Sequence, residues 1–238
     1  MTSRLSLRAA RIAPVALAAL VLVTAAGHRV RLDAQSSTAP IEYTLSFPEP
    51  QHRWMQVEAV FSGIGRSPLR VRMSRSSPGR YALHEFAKNV FDVRFADGAG
   101  RVLEAARPSH HEWEVAGHDG TVRVRYRVFG DRVDGTYLAI DPTHAHINMP
   151  AALMWSESLQ DGPVRVTFRQ PEGASWRVAT QLLPTDDPLV FTAPNLQYLM
   201  DSPAEFSAFT LREFPAPGGA GTPTIRIALH HLGSAGDA

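Results

Sequence analysis

Cysteine is absent from this 238-residue sequence. Its absence excludes thiolate metal sites, cysteine nucleophiles and a disulfide framework. A chain of this length can bury a core large enough to fold without disulfides. With 44% hydrophobic and 20% charged residues, the composition is typical of a globular protein, and we interpret it as one main domain.

The sequence also lacks an apolar run that comfortably spans a bilayer, which takes about 20 residues. The run at residues 12–27, "IAPVALAALVLVTAAG", follows Arg4, Arg8 and Arg11 and ends in small residues. This pattern is typical of a secretory signal. We therefore predict that residues 1–34 are an export signal, that the protein is periplasmic or extracellular, and that no stable membrane span remains after cleavage. A single membrane anchor is the alternative.

An excess of basic charge, which nucleic-acid binding requires, is missing from the predicted mature chain. Without residues 1–34, the number of Lys and Arg falls from 24 to 19 and that of Asp and Glu from 23 to 22. The formal net charge thereby changes from +1 to −3. We exclude nucleic acid as a partner.

The motifs of catalytic sites are missing as well. His84 and Glu85 begin like the zinc-protease motif H-E-x-x-H, but Lys88 stands where the second histidine is required. A protonated lysine has no lone pair to offer a metal. The nucleophile elbow G-x-S-x-G and the phosphate-binding loop ending in G-K-[ST] do not occur either. We predict no catalytic residue in this chain.

Histidine, by contrast, occurs ten times, so a metal site must be considered. His144 and His146 share one face if this segment is extended, and His84, Glu85 or Asp141 could join them in space. Catalytic zinc usually takes three protein ligands, and the spacing here matches no metal-binding motif. We predict that this chain holds no metal itself.

Alternation of apolar and polar residues is the dominant pattern after residue 40 and indicates strands with one buried face. At least eight short segments show it, among them residues 41–47, 55–61, 69–73, 91–95, 122–128, 164–168 and 225–229. The sequence has no long amphipathic helical pattern. It therefore predicts an all-β fold, an antiparallel β-sandwich or curved two-sheet domain with one or two short helical turns.

Two stretches interrupt the alternation, residues 81–90 and 193–203. We interpret both as helical turns or irregular segments. In the second, Asn195 is a suitable N-cap for a short turn that ends before Pro203.

Arginines alternate with the apolar residues in several predicted strands, most clearly at Arg123, Arg125 and Arg127. Outward charges on strands typically keep a face solvated and guard sheet edges. An anion-binding ladder is the alternative interpretation.

Several segments follow one another in a characteristic order: "YTLSFPEPQHRWMQVEAVF", "SPGRYALHEFAKNVFDVRFADGAGRVL", "HEWEV" followed by "VRVRYRVF", "THAHINMPAALMW" and "LMDSPAEF". This order resembles the N-terminal domain of the M61 metallopeptidases, the glycyl aminopeptidases that often carry a PDZ domain. The resemblance covers residues 41–232 and leaves residues 233–238 as a flexible tail or the start of a linker.

The resemblance implies a β-rich domain that precedes a thermolysin-like catalytic domain, and zinc is expected only in that catalytic domain. It implies a non-catalytic role for this chain, as a fragment or a relict, in supporting the catalytic domain and shaping its peptide-binding cleft. The expected partners are the catalytic domain, in cis or in trans, and a peptide substrate. The alternative is an independent exported β-sandwich that binds a peptide, a glycan or a protein.

The segment "THAHINMPAALMW", residues 143–155, mixes polar and apolar residues without regular alternation. Such irregularity is expected where a strand edge or loop faces a partner. The resemblance places this part toward the catalytic cleft. We therefore predict substrate contact by Asn148, His146 and His144. The alternative is that Asn148 satisfies backbone groups at a bend while the histidines are solvated.

Overall fold

The computed structural model describes residues 39–218, 221–231 and 233. The predicted export signal, residues 1–34, lies outside the described residues, as does the predicted tail apart from Gly233. No helix in the described part of the chain is long and apolar enough to cross a membrane.

Short strands make up most of the described chain, with two helices of about one turn, α1 (Met149–Ala152) and α2 (Leu196–Met200). Single 3-10 turns occupy Pro50–His52, Phe86–Asn89 and Glu157–Leu159. The strands are β1 (Ile41–Ser46), β2 (Trp54–Phe61), β3 (Leu69–Met73), β4 (Val90–Asp97), β5 (Val102–Leu103), β6 (Ala105–Ser109), β7 (Glu112–Val115), β8 (Val122–Phe129), β9 (Leu138–Ile140), β10 (His144–Ile147), β11 (Met154–Trp155), β12 (Val164–Arg169), β13 (Arg177–Thr180), β14 (Leu183–Pro184), β15 (Val190–Ala193), β16 (Ala204–Ser207), β17 (Thr210–Pro215) and β18 (Thr224–Leu229).

These strands form four sheets. The large sheet has the order β14-β15-β12-β1-β2-β8-β4-β5, and two smaller sheets have the orders β13-β16-β10-β9 and β11-β3-β7-β6. Strands β17 and β18 pair in a separate ribbon. The all-β, sandwich-like prediction is confirmed. One pair departs from the antiparallel pattern, since β1 runs parallel to β12.

The core lies between the large sheet and the two smaller ones, because the apolar rows of β1, β2 and β8 face inward as the alternation predicts. An aromatic cluster joins two of the sheets. The ring of Phe206 on β16 lies 5.6 Å from that of Phe47, 5.5 Å from that of Phe168 and 5.3 Å from that of Trp176, measured between centroids. Tilted and edge-on aromatic pairs at these distances add stability beyond simple area burial.

The predicted apolar row of residues 91–95 is wrong at its start. The register of β4 against β8 shifts between Phe91 and Arg94, and Asp92 adopts a left-handed φ of 54°. A bulge of this kind moves the preceding side chain to the opposite face. Phe95 is therefore buried in the core, whereas Phe91 is 44% exposed.

The segment at residues 225–229 is a strand, but the prediction of one buried face is wrong. Strand β18 pairs with β17 outside the three larger sheets. Phe214, Ile225 and Ile227 are all exposed. Alternation identifies a strand and cannot identify what covers its apolar face.

The two interruptions of the alternation are confirmed as short helical turns. One contains the 3-10 turn Phe86–Asn89, and the other contains α2. The Asn195 side chain accepts a hydrogen bond from the Tyr198 backbone N–H at 2.9 Å and caps α2.

Candidate functional site

Strand β10 presents two histidines on one face, as the sequence predicts. Ala145 and Ile147 point into the core, while His144 and His146 face Glu205 of the neighbouring strand β16. The His144 Nδ1 lies 3.3 Å from Glu205 Oε1, and its Nε2 lies 3.5 Å from Asp141 Oδ2. His144 thus lies between two carboxylates.

The two histidines of β10 differ in charge preference. The hydrogen bond to Glu205 raises the pKa of His144, with further help from the charge of Asp141. Burial lowers the pKa of His146, whose Nδ1 is 3.9 Å from Glu205 and whose buried Nε2 has no partner in the described part of the chain. The face of β10 therefore favours a proton on His144 and a neutral ring at His146.

A third histidine reaches this face from the end of the β17–β18 ribbon. The ring of His230 stacks on that of His144 with centroids 4.3 Å apart and an interplanar angle of 11°. Burial, followed by the charge of His144, lowers the pKa of His230. Its Nε2 is also 3.3 Å from Thr143 Oγ1.

Asn148 follows β10 and is 4% exposed. Its amide nitrogen donates to Ser77 Oγ at 3.0 Å and also to the backbone oxygen of Thr136. The side chain therefore links its own segment to residues 12 and 71 positions away in the sequence. The hydrogen bond from Asn148 fixes the position of the Ser77 hydroxyl.

Two core tyrosines fix the segment that follows Asn148. Tyr43 on β1 donates its hydroxyl to the Met154 oxygen at 2.7 Å. The Tyr126 hydroxyl on β8 accepts from the Met154 N–H at 2.8 Å and donates to the Ala152 oxygen at 3.0 Å. Burial raises the pKa of both tyrosines, so both hydroxyls stay protonated and able to donate.

A pocket of about 500 Å³ lies over Ser77 and α1. Its walls combine three of the family-like segments quoted above, with Ser77 and Arg80 from the one that begins "SPGRY", Pro150 and Trp155 from "THAHINMPAALMW", and Met200 from "LMDSPAEF". Trp155 Nε1 donates to Ser74 Oγ at 3.0 Å, which ties two walls together. We call this cavity the serine pocket, because Ser74, Ser76 and Ser77 all line it.

The serine pocket is connected to the face of β10 by Asp134. Arg80, in the pocket wall, donates to the Asp134 backbone oxygen at 3.1 Å. The carboxylate of Asp134 accepts from the Thr136 and Tyr137 backbone N–H groups and acts electrostatically on His146. The pocket wall also carries one charge of each sign, Arg80 and Asp161, a polar lining suited to orienting a polar ligand.

Of the residues considered as further partners for His144 and His146, Asp141 is close to His144, whereas the other two have different contacts. His84 stacks on Phe86, with centroids 5.1 Å apart. Glu85 pairs with Arg75 at 2.7 Å and with His110 at 2.8 Å. Among the described residues, no group of three or more His, Asp or Glu side chains is arranged to hold a metal ion.

The sequence model of the protein family "Peptidase M61 N-terminal domain" matches residues 42–208. The chain belongs to this family. The resemblance predicted from the sequence is thereby confirmed, and both β10 and the serine pocket lie within the matched range, up to the end of β16. A comparison with curated proteins gives no match.

This M61 N-terminal domain is similar in structure to an aminopeptidase N family protein from Idiomarina loihiensis, with 20% identity and a TM-score of 0.72 over 80% of this chain and 33% of that one. It also matches an M1 zinc metallopeptidase from Deinococcus radiodurans, with 16% identity and a TM-score of 0.41 over 79% and 46% of the two chains. A leukotriene A4 hydrolase from Saccharomyces cerevisiae matches with 11% identity and a TM-score of 0.38 over 76% and 30%. The first likeness shows a shared fold, and the chain spans about a third of that protein's length.

Proposed function

We propose that this chain is the non-catalytic N-terminal β-domain of an exported M61-type metallo-aminopeptidase, where it supports the catalytic domain and shapes the peptide-binding cleft. The observation that carries the proposal is the convergence of three family-like segments on one pocket. The segments begin at residues 77, 143 and 199, so they are far apart in the sequence. A shared functional surface would explain why segments typical of the family line the same pocket.

The expected partners are a catalytic metallopeptidase domain, in cis or in trans, and a peptide. Zinc belongs to that catalytic domain in this account. The peptide backbone offers both donors and acceptors, which suit the serine hydroxyls and the mixed charges of the pocket wall. Export is proposed from the sequence pattern of residues 1–34, and the mature N-terminus in the native host, expected between about residues 27 and 36, tests it. An intact Met1 in a membrane fraction would contradict export.

Asn148, His146 and His144 are the residues we assign to this surface. The buried amide of Asn148 acts through Ser77, which it holds at the pocket wall. His144 and His146 are partly accessible, with side chains 13% and 29% exposed. A ligand that extends from the serine pocket past Asp134 would reach them.

The test begins with the coding sequence after Ala238, read for an in-frame H-E-x-x-H, and joins that catalytic domain to residues 41–232. We expect Asn148→Ala to lower kcat/KM for a peptide by about tenfold or more, equivalent to ~1.4 kcal/mol of transition-state stabilisation, with folding intact. The loss of kcat/KM is expected whether Asn148 contacts the substrate itself or positions Ser77 for that contact.

His118→Ala is the matched control. His118 is also buried, at 3% exposure, and contacts the Ser67 oxygen at 3.0 Å and the Gly120 N–H at 3.3 Å, outside the serine pocket. It should lower stability while kcat/KM is retained. If Asn148→Ala behaves in the same way, the residue is structural and its assignment to the cleft is wrong.

A further inference from the structure

The outer face of the large sheet carries arginines whose charges are incompletely balanced. Glu58 on β2 pairs with Arg125 at 2.7 Å and lies 3.6 Å from Arg123, so one carboxylate serves two guanidinium groups. Asp92 is engaged by Arg127, whose Nε donates to it at 2.6 Å. The carboxylates of Glu58 and Asp92 are therefore already paired with arginines.

Arg94 on β4 adds a further positive charge. In the antiparallel register it stands directly opposite Arg125. Its side chain is exposed and, among the described residues, has neither a carboxylate nor a hydrogen-bond partner. Like charges directly opposite each other on neighbouring strands are destabilising. An anion between Arg94 and Arg125 would remove that cost.

A groove of about 890 Å³ lies at this point and has both charged and apolar walls. Four arginines line it, Arg94, Arg107, Arg123 and Arg125, together with the carboxylates of Asp92 and Glu104 and the apolar side chains of Val93 and Val102, so that positive side chains outnumber negative ones. Val102 is 76% exposed. The volume falls within the range of roughly 300–1,000 Å³ that is usual for small-molecule sites. Arginines and apolar side chains together suit a ligand with a negatively charged head and an apolar body.

The bulge in β4 decides between a small ligand and an added strand. Strand β5 has two residues and pairs with Phe95 and Ala96, so the first half of β4 has no further neighbour among the described strands. The register shift between Phe91 and Arg94 and the left-handed Asp92 interrupt this edge. Bulges twist a sheet edge away from pairing with an extended chain. The geometry favours a compact ligand over a peptide strand.

We propose that this groove, which we call the arginine groove, binds a small amphipathic carboxylate. The carboxylate lies between Arg94 and Arg125, where guanidinium groups can donate two parallel hydrogen bonds to it, and the apolar chain packs against Val93 and Val102. The site is separate from the serine pocket and shares no lining residue with it. In this proposal, the arginines bind a ligand and also keep this face of the sheet solvated.

Calorimetry on the full chain with decanoate tests the proposal, with decanol and decyltrimethylammonium as neutral and cationic probes of the same chain length. We expect saturable binding of one decanoate per chain, weakened by salt, and binding of the other two probes at least about tenfold weaker, because a charge-assisted contact is lost. Arg94→Gln should weaken decanoate binding by about tenfold or more.

Arg165→Gln is the matched control, since Arg165 is an exposed arginine on strand β12 of the same sheet and does not line the groove. It should leave decanoate binding within about twofold, as expected for a distant screened charge. Equal binding of decanoate and decanol would overturn the proposal, as would equal losses in the two variants or no saturable binding of decanoate. Tighter binding of an extended acidic peptide, with competition against decanoate, would overturn it in favour of an added strand.

Discussion

Two tyrosine hydroxyls fix the backbone between Pro150 and Trp155, two residues that line the serine pocket. Tyr126→Phe leaves the Met154 N–H and the Ala152 oxygen without their hydroxyl partner in a buried place. Each unsatisfied buried group costs about 1–3 kcal/mol. Tyr43→Phe removes a single hydrogen bond, to the Met154 oxygen. We expect Tyr126→Phe to lower the free energy of unfolding more than Tyr43→Phe does, as measured by urea denaturation. Equal losses would contradict the assigned contacts.

His144 and His146 should make opposite contributions to the pH dependence of stability. The folded-state pKa of His144 is raised by Glu205, so its contribution is fully present below the unfolded pKa, near 6.5, and is lost as pH rises through the folded value. The folded-state pKa of His146 is lowered by burial, so its contribution is present above the unfolded pKa and is lost as pH falls through the folded value.

Chemical unfolding of the two glutamine variants at about pH 5.5 and about pH 8.5 separates these contributions, because the two values bracket the ordinary histidine pKa. His144→Gln should be more destabilising, relative to the parent, at the acidic pH. His146→Gln should be less destabilising there. Because the charge of His144 also lowers the pKa of His230, both variants and the parent are compared in a shared His230→Gln background, in which Asp141 and Glu205 are unchanged. The same pH dependence in both variants would refute the assignment.

Residue by residue, the sequence predicted part of this site. The two-residue period places His144 and His146 on one face, and the structure agrees. Glu205 was not predicted as their partner, although it lies in the quoted segment "LMDSPAEF", because the pairing of β10 with β16 brings together residues 61 positions apart. The alternation identifies Tyr43 and Tyr126 as core residues, but it does not predict which groups their hydroxyls contact.

At the scale of elements, α2 depends on its cap. The helix has five residues, and the Asn195 side chain satisfies the Tyr198 N–H, a group that has no partner within so short a helix. We expect Asn195→Ala to lower the free energy of unfolding by about 0.5–2 kcal/mol and Asn195→Asp to retain most of it. Thermal and urea unfolding of the two variants measure this. Equal stability of the alanine variant and the parent would show that the cap does not matter.

The elements that the sequence misjudged share one physical cause. The β4 row and β18 both alternate as predicted strands do, yet a bulge turns Phe91 outward and the ribbon of β17 and β18 leaves both of its faces exposed. Local periodicity reports what a strand can bury. Which face is covered depends on pairing with distant strands, and that information is not local.

At the scale of the whole molecule, the described chain is a scaffold with two distinct surfaces. The serine pocket and the face of β10 gather the segments typical of the M61 N-terminal domain. The arginine groove lies along β4 and β5 at the edge of the large sheet and is also lined by residues of β6 and β7. The chain spans about a third of the length of the Idiomarina protein that shares its fold. The function proposed above assigns the chemistry to a separate catalytic domain and the shaping of the cleft to this one.

The central claim is that this domain works with a zinc aminopeptidase. The most direct measurement captures the protein from the exported fraction of its native host with antibodies against residues 41–232 and follows hydrolysis of an aminoacyl substrate with and without a zinc chelator. The account predicts that the captured material hydrolyses the substrate, that the chelator abolishes hydrolysis, and that mass spectrometry of the material finds a peptide bearing H-E-x-x-H. Captured material that contains this domain, lacks such a peptide and hydrolyses nothing would contradict the account.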